Sequence, residues 1–159
     1  VDGESYYFLT KEKFNEMIGH GGFLEYAQIY SNFYGTPKGP VMKYLEEGKD
    51  VILEIEMQGA RQVKEMYPEA VLIFVLPPSL EELRNRLTTR GTETQEQVDE
   101  RLSTSFEEIK QVKDYNYFIF NENNKTTESA MIIENLIVAE KNKASRYEKA
   151  IIKKFEEEL

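Results

Sequence analysis

Two glutamates close an apolar run in Val51-Ile52-Leu53-Glu54-Ile55-Glu56. In an extended chain successive side chains alternate, so Val51, Leu53 and Ile55 share one face and Ile52, Glu54 and Glu56 the other. Two carboxylates then stand together at the C-terminal end of a strand, the place where open α/β sheets bind ligands. The plainer alternative is a pair of solvated acids, and the strand alone does not separate the two. If buried, such a pair needs a cation or hydrogen-bond donors beside it.

A second group is cationic. Arg86 and Arg90 lie four residues apart, and Arg101 follows on the next helical pattern. The guanidinium fork donates two parallel hydrogen bonds and stays charged, which suits polyphosphate. Surface pairing with Glu82, Glu93 or Glu100 is the competing use. The third group is Phe23-Leu24-Glu25-Tyr26 with Asn32-Phe33-Tyr34-Gly35-Thr36. A glutamate here can accept from two adjacent N–H groups on a guanine edge while a threonine hydroxyl donates to the ring carbonyl. Adenine would leave those groups unpaired, so such a site discriminates strongly. An aromatic hairpin packed on a sheet is the alternative.

Other chemistries are thinly supplied. His20 is the only histidine and sits in Gly19-His20-Gly21, where capping a helix is the expected role. Cysteine is absent, which removes disulfides and thiolate chemistry and fits a reducing compartment. With 20 basic against 29 acidic side chains the net charge is -9, which disfavours nucleic-acid polymers as partners. A small anion remains possible if a few arginines converge. No apolar run approaches the ~18–20 residues of a membrane span, and no leader pattern opens the sequence, so the cytoplasm is the expected address and no membrane partner is expected.

These residues need elements to hold them, and 159 residues suffice for one sizeable core. Tyr6 to Thr10 reads as a short strand, Lys11 to Ile18 as a helix, and Phe23 to Tyr34 as strand, turn and strand around Ser31-Asn32. Then follow a helix over Val41 to Glu47, the strand Val51 to Glu56, a helix from Gln58 to Tyr67 and a buried strand from Ala70 to Leu76. Ser79 opens a further helix with a capping box to Glu82. The polar run from Thr88 to Thr94 predicts a mobile excursion between two helices. A helix ending near Tyr115, a strand from Tyr117 to Phe120 and one long helix from Thr126 to the end complete the pattern. Strands alternating with helices predict an α/β fold with a parallel sheet covered on both faces. The terminal stripe Tyr147, Ile151, Phe155 and Leu159 is expected to pack on its own domain.

Taken in order, Val1-Asp2-Gly3 through Tyr6-Tyr7-Phe8, Phe23-Leu24-Glu25-Tyr26-Ala27, Asn32 to Pro37, Ile52-Leu53-Glu54-Ile55-Glu56-Met57-Gln58-Gly59, Pro77-Pro78-Ser79 and Arg90-Gly91-Thr92-Glu93-Thr94 resemble the guanylate kinases. The resemblance runs to about Ala139. It implies a three-layer α/β/α parallel-sheet core of the nucleoside-monophosphate kinase type, with a small mostly β lobe for GMP and a helical lid. The lobe would be residues 1–38, the core 39–84 and 106–159, and the lid 85–105. The implied activity is phosphoryl transfer from MgATP to GMP, giving ADP and GDP. Tyr6 and Tyr34 would bind the GMP phosphate, Glu25 and Thr36 would read guanine beside Gly35, and Glu56 would help at the guanine amino group. Glu54 would act beside Mg2+ through water. Arg90 and Arg101 would reach the ATP phosphates, with Arg86 a further member of that cluster and Asn121 near the adenine. A monomer or a homodimer is equally compatible.

Some positions depart from the family pattern. Glu56 stands where aspartate is usual, and Asn121-Glu122-Asn123 replaces asparagine followed by acids. No Gly-x-x-x-x-Gly-Lys-Ser/Thr phosphate loop occurs in the sequence. The resemblance therefore predicts about 40 further residues before Val1, one strand-loop-helix unit, and no turnover without them. A guanylate-kinase-like module that binds protein ligands without catalysis is the alternative.

Overall fold

The computed structural model describes residues 6–29, 32–91 and 94–159, and it falls into two units, Val1–Leu72 and Ile73–Leu159. The expectations placed on Val1-Asp2-Gly3, on the turn at Ser31 and on Thr92-Glu93 lie outside the described residues, as does the side chain of Arg90.

In the first unit, helix α1 (Lys11–Gly19) begins where the Thr10 hydroxyl accepts the Lys13 N–H at 3.2 Å. His20 ends it, its own N–H donating to the Glu16 carbonyl, as its position predicts. Phe14 is buried on the inner face, stacked on Phe23 at 4.5 Å and tilted against Phe33 at 5.5 Å. That aromatic cluster pins α1 to an antiparallel hairpin, β1 (Phe23–Ile29) and β2 (Asn32–Pro37). The register sets Glu25 opposite Thr36, Tyr26 opposite Gly35 and Ala27 opposite Tyr34, with an irregularity between Phe23 and Glu25. The expected strand from Tyr6 to Thr10 is absent, with only a single bridge at Tyr6.

Helix α2 (Lys38–Glu46) starts three residues before the expected Val41. Pro40 does not block it, because in a first turn the N–H that proline lacks would have no helical partner. Residues 51–56 form no strand. Their exposure still alternates as predicted, Val51, Leu53 and Ile55 half-buried and Ile52, Glu54 and Glu56 exposed, with Ile52 at 70%. Alternation reports which way side chains point; a strand also needs a neighbour to hydrogen-bond, and no described residue pairs with this segment. Helix α3 (Met57–Met66) follows at once and packs Gly59, Ala60 and Val63 against β1.

The second unit holds a parallel pair, β3 (Ile73–Leu76) beside β4 (Tyr117–Phe120), in the register Ile73 to Tyr117 through Leu76 to Phe120. The strand starts at Ile73 rather than Ala70 because Ala70 is committed to a turn, its N–H donating to the Tyr67 carbonyl and its carbonyl accepting from Lys64 Nζ at 2.6 Å. Full cover on both sheet faces is not observed: Val75, Phe118 and Phe120 are exposed, Phe118 at 56%.

Helix α4 (Leu80–Arg90) and helix α5 (Gln95–Ile109) form a hairpin with a core of its own. Val98, at 1% exposure the most deeply buried side chain described, meets Leu87 and Leu102, with Leu83 alongside. The polar run is therefore shorter than expected, since Thr88, Thr89 and Arg90 complete α4 and Gly91 ends it in the left-handed region at φ 65°. Thr94 and Gln97 form the reciprocal capping box that opens α5. At Ser79 only half of the expected box forms: the hydroxyl accepts the Glu82 N–H at 3.0 Å, while the Glu82 carboxylate turns to Arg86 and Asn123.

A 3-10 turn, Lys110–Asp114, leads into β4. The single long C-terminal helix of the sequence reading is two, α6 (Thr126–Lys141) and α7 (Ala144–Glu156). Asn142 breaks it, its side-chain amide donating to the Val138 carbonyl at 2.8 Å. Tyr147, Ile151, Phe155 and Leu159 of the terminal stripe are all exposed, so the expected packing on their own domain is not seen. Among the described residues no helix is long and apolar enough to cross a membrane.

Candidate active site

Within the first unit, the hairpin and α3 bring one acid and one alcohol together. The Glu25 side chain is buried at 6% exposure, and its Oε1 accepts the Thr36 hydroxyl at 2.6 Å. The cross-strand register accounts for the meeting, since paired residues of an antiparallel ladder point to the same face. The other carboxylate oxygen lies against α3: a Cβ built on Gly59 would stand 2.5 Å from Glu25 Oε2. Gly59 belongs to the first turn of that helix, where the dipole favours negative charge. A side chain at this position would therefore require the Glu25 carboxylate to move.

Gly35 is constrained in a similar way. A Cβ at this position would come within 3.0 Å of the Glu25 carbonyl oxygen and of Phe23 Cδ1, and within 3.1 Å of Tyr26 Cβ. Glycine thus lets β2 close on β1 where Glu25 and Thr36 meet. Glu56 is the N-cap residue of α3, three residues before Gly59, and makes no capping bond with its side chain. It is therefore placed at the same helix end as the Glu25 carboxylate, with exposed Glu54 two residues before it. Tyr6 and Tyr34 meet edge to face, ring centroids 6.3 Å apart, and both are exposed.

One functional candidate was missed by sequence reasoning. Gln62 donates from Nε2 to the Tyr26 carbonyl at 2.8 Å and accepts the Tyr26 N–H at Oε1, 3.2 Å. A polar residue on a helix carries no sequence signal for this, because the partner is backbone 36 positions away.

In the second unit Arg86 reaches three acceptors. Its Nε donates to Glu82 Oε1 at 2.9 Å, and its Nη2 donates to the Asn121 carbonyl at 2.7 Å and to Asn123 Oδ1 at 2.9 Å. Asn123 Nδ2 completes the ring with a bond to Glu82 Oε1. Hydrogen bonds from Arg86 first, and from Asn123 second, hold the Glu82 carboxyl below its ordinary range. The ring fixes residues 121–123 against α4, and the Asn121 N–H extends the β3 ladder to the Leu76 carbonyl at 2.7 Å. Arg84 pairs with Asp99 at 2.7 Å and ties α4 to α5. Arg101 is exposed on α5, and Arg90 ends α4.

A further buried acid sits at the turn between α6 and α7. Glu140 accepts from the Tyr117 hydroxyl at 2.6 Å and Lys143 Nζ at 3.1 Å on one oxygen, and from Arg146 Nε and Nη2 at 2.9 and 2.7 Å on the other. The Tyr117 bond above all, then that of Arg146, brings its carboxyl down to about 2. The same contact pushes the Tyr117 phenol up.

Among the described residues no three metal-binding side chains converge. Glu54 and Glu56 are both exposed, and carboxylates of this kind suit Mg2+, which keeps several waters and binds through one or two carboxylates together with substrate phosphates.

A family model described as guanylate kinase matches residues 1–140. The guanylate kinase of Clostridioides difficile (strain 630) is 64% identical over 159 residues, covering 100% of this chain and 77% of that protein. The guanylate kinase of Clostridium tetani (strain Massachusetts / E88) is 48% identical over 152 residues, with 96% of this chain and 72% of the relative covered. Among solved structures, guanylate kinase from Anaplasma phagocytophilum superposes with a TM-score of 0.71 at 34% identity, covering 90% of this chain and 69% of that one. With the family match spanning residues 1–140 and whole-chain identity of 64% to a named member, the chain belongs to the guanylate kinase family.

Proposed function

We propose that this chain acts in the transfer of the γ-phosphoryl group of MgATP to GMP, forming ADP and GDP in the cytoplasm, and that its first unit reads the guanine. The observation that carries the reading is the Glu25–Thr36 pair, a buried carboxylate and a hydroxyl 2.6 Å apart on facing strands. With GMP bound, Glu25 accepts from the ring N–H and the exocyclic amino group, and Thr36 turns its hydroxyl from Glu25 to the ring carbonyl. Glu56 adds an acceptor near the amino group, the backbone at Gly35 lets the base approach, and Tyr6 and Tyr34 donate to the phosphate.

On the donor side, Arg90 and Arg101 neutralise charge on the transferring group, and Asn121 borders the adenine. Transfer is in line, without a covalent enzyme intermediate, so rate depends on positioning and charge stabilisation. Glu54 would contact, through water, the Mg2+ that comes with ATP, and that ion would supply neutralisation of phosphate charge. A lobe formed by residues 1–38, a lid at 85–105 and a core from the remainder are the working divisions. The enzymatic reading is preferred to a protein-binding module because the named relatives are kinases.

Glu25→Gln tests the reading directly. An amide can accept only at its one oxygen and brings a donor against the guanine donors, so GMP affinity measured by calorimetry should fall about 10- to 100-fold, the worth of a charge-assisted hydrogen bond. Unchanged affinity overturns the assignment.

A further inference from the structure

Residues Glu25 and Tyr26 are neighbours on β1, and each is met by a different residue of α3. Gly59 faces the Glu25 carboxylate, and Gln62, three positions on and therefore on the same side of the helix, faces the Tyr26 backbone. Tyr26 pairs with Gly35 on β2, yet both its N–H and its carbonyl point the other way, into the Gln62 amide. The primary amide offers one donor and one acceptor side by side, the pattern that a further strand would present to this edge. It closes the edge of β1 at one residue and fixes that strand along the helix. Because Glu25 is the adjacent residue, the clip also fixes where its carboxylate lies between Thr36 and Gly59.

From this geometry we infer that Gln62 is a positioning residue for guanine selectivity, acting through Tyr26 and Glu25, and that Gly59 provides the clearance the carboxylate needs. The inference rests on Glu25 reading the guanine edge. In this role Gln62 acts through the β1 backbone and not on the nucleotide itself. Its contribution is to hold both acceptor oxygens of Glu25 in register with the ring N–H and the exocyclic amino group, so its loss is felt most where two bonds must form at once.

IMP, which lacks the exocyclic amino group, is the discriminating probe. Calorimetric affinities of the intact protein for GMP and IMP give a ratio that reports how well the second acceptor is aligned. Gln62→Met keeps side-chain length and removes both amide bonds; it should shrink the GMP-to-IMP ratio about tenfold, mainly by weakening GMP. Gln62→Ala should do the same, with Gln62→Met standing in its place if the alanine variant fails to fold. Gly59→Ala, which pushes the carboxylate aside, should shrink the ratio at least as far. Thermal midpoints measured alongside separate this from simple loss of stability: a lowered midpoint with an unchanged ratio overturns the inference. Glu25→Gln is the control for the underlying reading. If it removes the preference for GMP while Gln62→Met preserves it, the positioning role fails alone; if Glu25→Gln also leaves the ratio intact, the guanine assignment itself fails.

Discussion

Arg86 shows how one partner can be read from the sequence while others are missed. The sequence allowed it either a phosphate or Glu82, and the structure assigns it Glu82 together with Asn121 and Asn123. Its guanidinium braces the 121–123 segment. Arg86→Ala should therefore raise the KM for ATP and lower the thermal midpoint by a few degrees, with a modest effect on kcat. Arg101→Ala should lower kcat by about a thousandfold or more with GMP affinity retained, as expected for an arginine acting on the transferring phosphoryl group. Steady-state kinetics on both variants of the intact enzyme checks the contrast; equal losses in kcat would refute it. Glu25 and Thr36 were singled out by their chemistry and by the family resemblance, and the hairpin register sets them face to face. Gln62 was not, because side-chain to backbone bonds across 36 residues leave no local pattern.

Among the elements, α1, β1, β2, α3 and β4 were readable from periodicity and flanking turn residues almost to their ends. Residues 51–56 and 70–72 were misread as strand for one reason: hydrophobic alternation is local, whereas a ladder depends on what lies alongside. The C-terminal pattern hid its break because Asn142 is an ordinary helix-surface residue until Glu140 gathers Tyr117, Lys143 and Arg146 around the turn. That cluster has a pH signature. The Glu140 carboxyl titrates at about 2 in the folded chain against an ordinary 4.5. Its depressed value means the folded state holds the proton less tightly than the unfolded one. The stabilisation is complete above about pH 4.5 and is lost as pH falls towards 2. Glu140→Gln should lower the urea midpoint at pH 7 and bring the variant closer to the parent as pH drops through that window. A constant gap between them at every pH would show that Glu140 does not couple folding to protonation.

Across the whole molecule, class and family were legible from composition and ordered motifs, while the distribution of cover over the sheet was not. Hydrophobicity alone does not distinguish a strand face packed by its own chain from one open to water, and Phe118 and Phe120 are open. The sequence contains no tryptophan. Replacing Phe118 by tryptophan would thus install a lone indole, which can be excited selectively at wavelengths too long for the ten tyrosines. Its emission should sit at the red, water-exposed end, and iodide should quench it readily. A blue, unquenched signal would instead mean that something has settled over that strand, which makes the open aromatic face a built-in gauge of its own coverage.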